Sequence, residues 1–312
     1  MLNQIGRDIF SEICKMEIID THEHIMSQEE VKEEVVHLFK VFENSYANLD
    51  LISAGMSPDI WEKKNLVEIW EEFKKYQPHV LLTTFVKNIL YSLKELYGLN
   101  TGEIKEDNYQ EISEKITDSY NSNNWYKYVL KEKANIKISM LDAFWNVENF
   151  NYDRELFIPV LRTNAFILGR EYSSPFPKGK WAHSTIESIS EAWGVSIDDF
   201  ESYLEIIKLA IKKYKKIGCP AVKIGTAYHR SLYFEKTDKR EAAVIYKKDP
   251  KRISLSEQKK LQDFMAHYII HPATSAEMAV QIHTGTFASN GSIIENGNPE
   301  QLNNLFLEYP ST

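Results

Sequence analysis

The chain has little cysteine and no long apolar run. Cys14 and Cys219 are the only cysteines in 312 residues, and neither has a second cysteine at metal-ligand spacing. This argues against a disulfide framework and a thiolate zinc site, and both thiols are expected to be buried and reduced. No apolar run approaches the length of a membrane span, and the N-terminus lacks the continuous apolar segment of a secretory signal. The sequence therefore predicts a cytosolic protein that does not bind a membrane.

An excess of positive charge is also missing. The net charge is −8, and no basic stripe with interleaved aromatic residues is present, so the sequence does not predict nucleic-acid binding. Hydrophobic residues make up 43% and charged residues 26% of the chain, which is typical of a soluble globular protein. These properties favour a role with a small-molecule substrate.

Five short apolar segments alternate with helical patterns. A parallel sheet is the expected result, because strands that are buried on both faces read as apolar runs separated by helices. The long loops after these strands favour a TIM-type (β/α)8 barrel that is incomplete, with strands one to five present. The predicted strands are Glu17–Ile25, Ile136–Leu141, Leu156–Phe166, Ala221–Gly225 and Met278–Thr284.

Between the first two strands, residues 28–134 show only helical periodicity. Leu82, Val86, Ile89 and Leu93 recur at spacings of three and four, as on one face of a helix. We therefore predict a partial barrel over residues 1–312 with a helical insertion at 28–134, which forms a lid. Residues 173–193, rich in proline and tryptophan, are predicted to be a loop.

Histidines stand at the ends of two predicted strands. His22 and His24 are two apart, so their side chains point to the same face of a strand and can hold one ion. The carboxyl ends of barrel strands are where such enzymes build their sites. His283 ends the fifth strand in the same way, and we expect it to be a third ligand. The alternative for each is a histidine satisfied by hydrogen bonds at a turn.

Lys223 lies in the middle of the apolar fourth strand. A buried ammonium group is costly unless it is paired or chemically altered. Lys223 can pair with a carboxylate, bind a substrate anion, or become a carbamate that ligates metal. The remaining alternative is a lysine that extends to the barrel rim.

Polar residues after the strands are candidates for substrate binding. Tyr228, His229 and Arg230 follow strand four, and the planar guanidinium of Arg230 suits a substrate carboxylate. Arg162 on strand three is a similar candidate, and Asp142 after strand two can orient a histidine. An ordinary solvated loop is the alternative for the strand-four group.

Three segments together resemble the amidohydrolase superfamily, in the branch called amidohydrolase family 2. They are EIIDTHEHI, AVKIGTAYHR and AVQIHTGT, in the expected order. The insertion after strand one is similar to that of uronate isomerase-like relatives. The resemblance implies metal ligation by His22, His24, Lys223 and His283. Such families also place a histidine on strand six and a proton-shuttling aspartate on strand eight, and the sequence ends before either, so the catalytic acid is unknown.

The resemblance implies one or two divalent ions, zinc being expected, and hydrolysis of an amide or ester by a metal-activated water. A metal-dependent decarboxylase or a uronate isomerase-like enzyme of the same superfamily is the alternative. A further alternative is an inactive, truncated fragment. A half barrel has open edges, which predicts a homo-oligomer or assembly with another chain.

Overall fold

The computed structural model describes residues 3–171, 181–285, 287 and 292–312. They form two compact units. The first, the barrel unit, comprises the described residues of 1–25, 134–287 and 292–312, and the second, the helical unit, those of 26–133.

The barrel unit contains a five-stranded sheet whose strands are all parallel and lie in the order β1-β2-β3-β4-β5. Gln281 on β5 donates from Nε2 to the carbonyl oxygen of Thr21 on β1 at 2.8 Å, so the sheet curls its outer strands toward each other. This confirms the prediction of an incomplete TIM-type α/β barrel. The strands are β1 (Ile18–Glu23), β2 (Ile136–Leu141), β3 (Phe157–Arg162), β4 (Ala221–Ile224) and β5 (Ala279–Ile282).

Helices make up most of the remaining regular structure. They are α1 (Gln4–Ile13), α2 (Gln28–Val31), α3 (Leu38–Glu43), α4 (Ala47–Ser53), α5 (Leu66–Val80), α6 (Thr84–Tyr97), α7 (Tyr109–Asn121), α8 (Trp125–Lys127), α9 (Asn164–Leu168), α10 (Ile186–Trp193), α11 (Phe200–Lys216), α12 (Lys239–Tyr246), α13 (Leu255–Ser275) and α14 (Asn303–Glu308). Helices α2 to α8 belong to the helical unit.

The core of the barrel unit lies between the sheet and the helices α11 and α13. Every residue of β4 is buried, as expected for a central parallel strand. Asp199 caps α11 through the backbone N–H of Ser202, and the apolar stripe of this helix faces the core. Its buried members include Phe200, Leu204, Ile207, Ile211 and Tyr214.

The helical unit has a separate aromatic core. Phe73 packs against Phe42 with 4.9 Å between ring centroids, and Trp70 stacks on Tyr109 at 5.0 Å. No described residue between 26 and 133 is in a strand.

Three local predictions are wrong. Strand β3 ends at Arg162, and residues 164–168 form the helix α9. The prediction was too long because the buried residues of α9 continue the apolar sequence of the strand. Helix α10 occupies 186–193, capped by Thr185 and Ser188; the predicted loop at 173–180 lies outside the described residues. Cys14 is exposed, whereas Cys219 is buried as expected.

Across the described residues, no helix combines the length and the apolar character needed to cross a bilayer.

Candidate metal centre

His22 and His24 lie side by side near the carboxyl end of β1. Their ring centroids are 4.7 Å apart, and the rings meet edge-on. Nδ1 of His24 lies 2.8 Å from the backbone carbonyl oxygen of Asp142. A carbonyl oxygen only accepts, so Nδ1 of His24 carries the proton and Nε2 keeps its lone pair. Such a backbone contact fixes a histidine in the orientation and tautomer that a metal ligand needs.

Lys223 reaches the same point from β4. Its side chain is buried, and Nζ lies 3.1 Å from Nδ1 of His22. Burial, and then the charge of Arg162, lowers the pKa of Lys223 to about 8. Burial, and then the charge of Lys223, lowers the pKa of His22 to about 4, and burial also lowers the pKa of His24. Both imidazoles are therefore neutral at physiological pH, as metal ligation requires.

Arg162 and Asp142 add a buried charged pair. Arg162 Nε lies 3.4 Å from Asp142 Oδ2, with side-chain exposures of 11% and 1%. Gly225 makes room for this arginine, because a Cβ at residue 225 would overlap Nη1 of Arg162 and lie 2.9 Å from Cζ. Asp142 was predicted to orient a histidine by its carboxylate, but its backbone carbonyl contacts His24 and its carboxylate faces Arg162.

Two further histidines belong to the same electrostatic environment. Burial, and then the charge of Arg162, lowers the pKa of His183 to about 4 and lowers that of His229 as well. His229 follows β4 and was considered in the sequence. His183 was missed, because it lies in an irregular segment outside any strand or motif. The sequence feature that could have pointed to His183 is the nearby Trp181, since the burial of Ser184 is known only from the structure.

The other predicted site residues lie in different surroundings. His283 follows β5, and its ring packs on Tyr228 with 4.9 Å between centroids. The guanidinium of Arg230 is buried against the fully buried carboxylate of Asp263. This contact favours a structural role for Arg230, and substrate binding by Arg230 and Tyr228 stays a prediction.

The donor set fits a divalent ion in its chemistry. Two neutral imidazoles converge, one with a fixed tautomer, beside a lysine with a lowered pKa. Within the part of the chain that the structure describes, no three His, Cys, Asp or Glu side chains come together as a metal-holding group. His22 and His24 therefore form a group of two possible ligands, and metal ligation by them, by Lys223 and by His283 stays a prediction.

Sequence comparisons identify no relative. No family model matches the chain, and no curated protein matches it.

Solved structures give clear matches. Uronate isomerase from Thermotoga maritima superimposes with a TM-score of 0.74 at 16% identity, covering 99% of this chain and 72% of that one. Glucuronate isomerase from Caulobacter crescentus gives a TM-score of 0.70 at 14% identity, covering 96% and 67%. A Lactobacillus casei protein, provisionally assigned as a metal-dependent hydrolase, gives 0.52 at 13% identity, covering 96% of this chain and 65% of its own. At these identities the likeness establishes the fold, an incomplete TIM-type α/β barrel.

Proposed function

We propose that this chain forms the metal-binding part of an amidohydrolase-superfamily enzyme that isomerises a small sugar acid. The observation that carries the proposal is the convergence of His22, His24 and Lys223 at the carboxyl ends of β1 and β4. The fold around them is shared with two uronate isomerases, which superimpose better than the hydrolase does.

His22 and His24 would hold the ion, for which we propose zinc, with Lys223 and His283 as candidates for the remaining positions. When bound, a divalent ion supplies a Lewis acid that polarises a carbonyl or hydroxyl oxygen. The backbone carbonyl of Asp142 holds His24 in the ligating tautomer. Lys223 can contribute through a carbamate oxygen, because its lowered pKa makes the neutral amine accessible.

The cationic side chains favour a carboxylate substrate. Arg162 lies on the strand next to Lys223, and the two are paired in register. A guanidinium group binds a carboxylate through two parallel N–H donors. Arg162 would therefore orient the acid end of the substrate, while the ion pair with Asp142, 3.4 Å from Nε to Oδ2, would keep the guanidinium group in place.

Hydrolysis is the second candidate. It has the support of the third structural match, to a protein with a provisional hydrolase assignment. The same histidine pair would serve both reactions, since a site's chemistry is not fixed by its fold.

Metal analysis tests the metal site directly. We expect a divalent ion to co-purify with the chain, to be lost in His22→Ala/His24→Ala, and to be retained in His271→Ala, which removes an exposed histidine of α13. Elemental analysis of folded, desalted samples gives the result. A folded double variant that keeps its metal would contradict the assignment of these ligands.

Proton NMR of D-glucuronate incubated with the zinc-loaded protein separates the two reactions. Formation of the ketose supports isomerisation. Absence of turnover together with cleavage of a small ester supports hydrolysis.

A further inference from the structure

Aromatic rings lie directly beside the histidine pair. Phe144 contacts His24 with 5.3 Å between ring centroids, and Trp145 meets Phe144 edge-on at 4.7 Å. From a later segment, His183 and Trp181 approach Phe144 with centroid separations of 4.4 and 6.2 Å. Trp181 also meets Trp145 at 4.7 Å. We call Phe144, Trp145, Trp181 and His183 the aromatic wall.

The aromatic wall retains accessible surface, although several residues close to it in sequence are buried. Ala143, Val147 and Ser184 are 4%, 2% and 6% exposed, whereas all four wall residues are half-buried. Among the described residues, the wall does not belong to the hydrophobic core of the barrel unit. Packing within that core therefore does not account for the position of the rings.

A hydrogen-bonded clamp holds the two segments of the wall together. The backbone N–H of Ser184 donates to the carbonyl oxygen of Phe144 at 2.9 Å. Ser184 Oγ accepts from the N–H of Val147 at 3.0 Å and donates to Glu148 at 2.6 Å. Ser188 Oγ donates to the other carboxylate oxygen of Glu148. The rings are thus preorganised, which lowers the entropic cost of binding a ligand.

Polar groups accompany the rings. Nε1 of Trp145 is buried and has no hydrogen-bond partner in the described part of the chain, and a buried donor without a partner needs an explanation. Cζ of Arg162 lies 5.5 Å from the centroid of Phe144. A cation therefore stands against the wall, where it can bind an anionic group of a ligand that touches the rings.

We propose that the aromatic wall is a substrate subsite that receives the nonpolar face of a ring, while Arg162 binds the carboxylate attached to that ring. This rests on the proposed function and narrows its substrate to ring-bearing carboxylates. A short aliphatic acid would engage Arg162 and leave the rings uncovered. Binding sites of this kind combine aromatic walls with a few fixed polar groups.

Benzoate and acetate are matched probes, because both are monoanions near neutral pH and only benzoate carries a ring. Calorimetric titration of the EDTA-treated wild-type chain is expected to show benzoate binding at least about tenfold more tightly than acetate. Trp181→Ala is expected to weaken benzoate binding about tenfold and to leave acetate binding unchanged, and Trp181→Phe to retain most of the benzoate affinity. Arg162→Gln is expected to weaken both probes.

Equal affinities of wild type for the two probes would overturn the subsite, as would failure of benzoate to bind. The subsite would also be overturned if Trp181→Ala weakened the binding of benzoate and acetate equally. The wild-type comparison stands even if the alanine variant does not fold. The titration is done without metal, so its result does not depend on whether His22 and His24 bind an ion. Failure of the subsite and failure of the proposed metal centre can therefore be told apart.

Discussion

Lys223 is the residue whose protonation state matters most for the site. Its side chain is 5% exposed, and burial lowers its pKa to about 8. An amine reacts with carbon dioxide only when it is neutral, so this lysine has a larger reactive fraction near neutral pH than an exposed lysine has.

We therefore expect Lys223 to form a carbamate in bicarbonate solution, increasingly so as the pH approaches about 8. Carbon NMR of the zinc-loaded chain with labelled bicarbonate should show a carbamate signal from Lys223. Lys223→Met should abolish it, and Lys239→Met, at an exposed lysine paired with Glu201, should not. A folded chain without the signal would rule out carbamate ligation.

Gly225 is required by the arginine beside it. A Cβ at this residue would overlap Arg162 and approach Oδ1 of Asn164 at 3.3 Å. We expect Gly225→Ala to fold but to displace Arg162 from Asp142, with a several-fold loss of benzoate and glucuronate affinity. Calorimetry measures the affinities, and thermal unfolding monitors the fold. Unchanged affinity in a folded variant would show that Arg162 does not bind the carboxylate.

At the candidate site, the sequence pointed to His22 and His24 because they are two apart at the end of a predicted strand. It pointed to Lys223 because a lysine within an apolar strand is costly to bury without a partner. The aromatic wall could not be predicted in this way. Its residues lie on irregular segments after β2 and before α10, and tertiary contacts such as the hydrogen bonds of Ser184 bring these segments together.

Among the helices, α3 has an unusual N-cap. Nδ1 of His37 accepts from the backbone N–H of Lys40 at 3.3 Å, so the cap requires a neutral imidazole. Burial, and then the charge of Lys40, lowers the pKa of His37 in the folded chain. As the pH falls below about 6.5, His37 therefore takes up a proton more readily in the unfolded chain, and the folded state loses stability.

We expect His37→Asn, which keeps an acceptor without titrating, to match wild type at neutral pH and to be more stable below about pH 6.5, by about 1 kcal/mol once His37 is protonated. Urea unfolding of both chains across this range measures the difference. His271→Asn, at an exposed position, is the control. Parallel loss of stability in His37→Asn and wild type would show that the cap does not respond to pH.

The elements were largely predictable where periodicity was strong. Strands β1, β2, β4 and β5 were placed to within two residues at each end, because each is a short apolar run that stands between helical patterns. The end of β3 was not placed correctly, because residues 164–168 continue the apolar run but form a helix that is buried in the core. Helix α10 was missed because its capping box uses Ser188 where the usual box has an acidic residue or glutamine.

At the scale of the whole molecule, helix α1 and the outer strand β1 leave apolar surface exposed. Ile5, Ile9 and Ile13 on α1 are 69%, 55% and 55% exposed, and Ile19 on β1 is 57% exposed. The three isoleucines of α1 are spaced four apart, so they form one apolar face. Exposed apolar faces beside a sheet edge favour association.

We expect the chain to self-associate with rising concentration, and Ile9→Glu/Ile13→Glu to reduce this association. Leu255→Glu, at an 85% exposed position on α13, should leave it unchanged. Sedimentation velocity over a concentration series gives the answer. A wild-type chain that stays monomeric throughout would contradict the expectation.

The hydrogen bond between Gln281 and Thr21 joins positions 260 residues apart, and the contact of His24 with Asp142 spans 118. Contacts of this sequence separation slow folding, because a long loop has to close before they can stabilise the chain. On the ribosome, β1 emerges long before its partner β2 and has no strand to pair with while residues 26–133 are synthesised. During this interval Ile18 and Ile19, which are exposed even in the folded chain, are available to other nascent chains. We therefore expect correct folding of this protein in cells to depend on chaperones that cover its first strand.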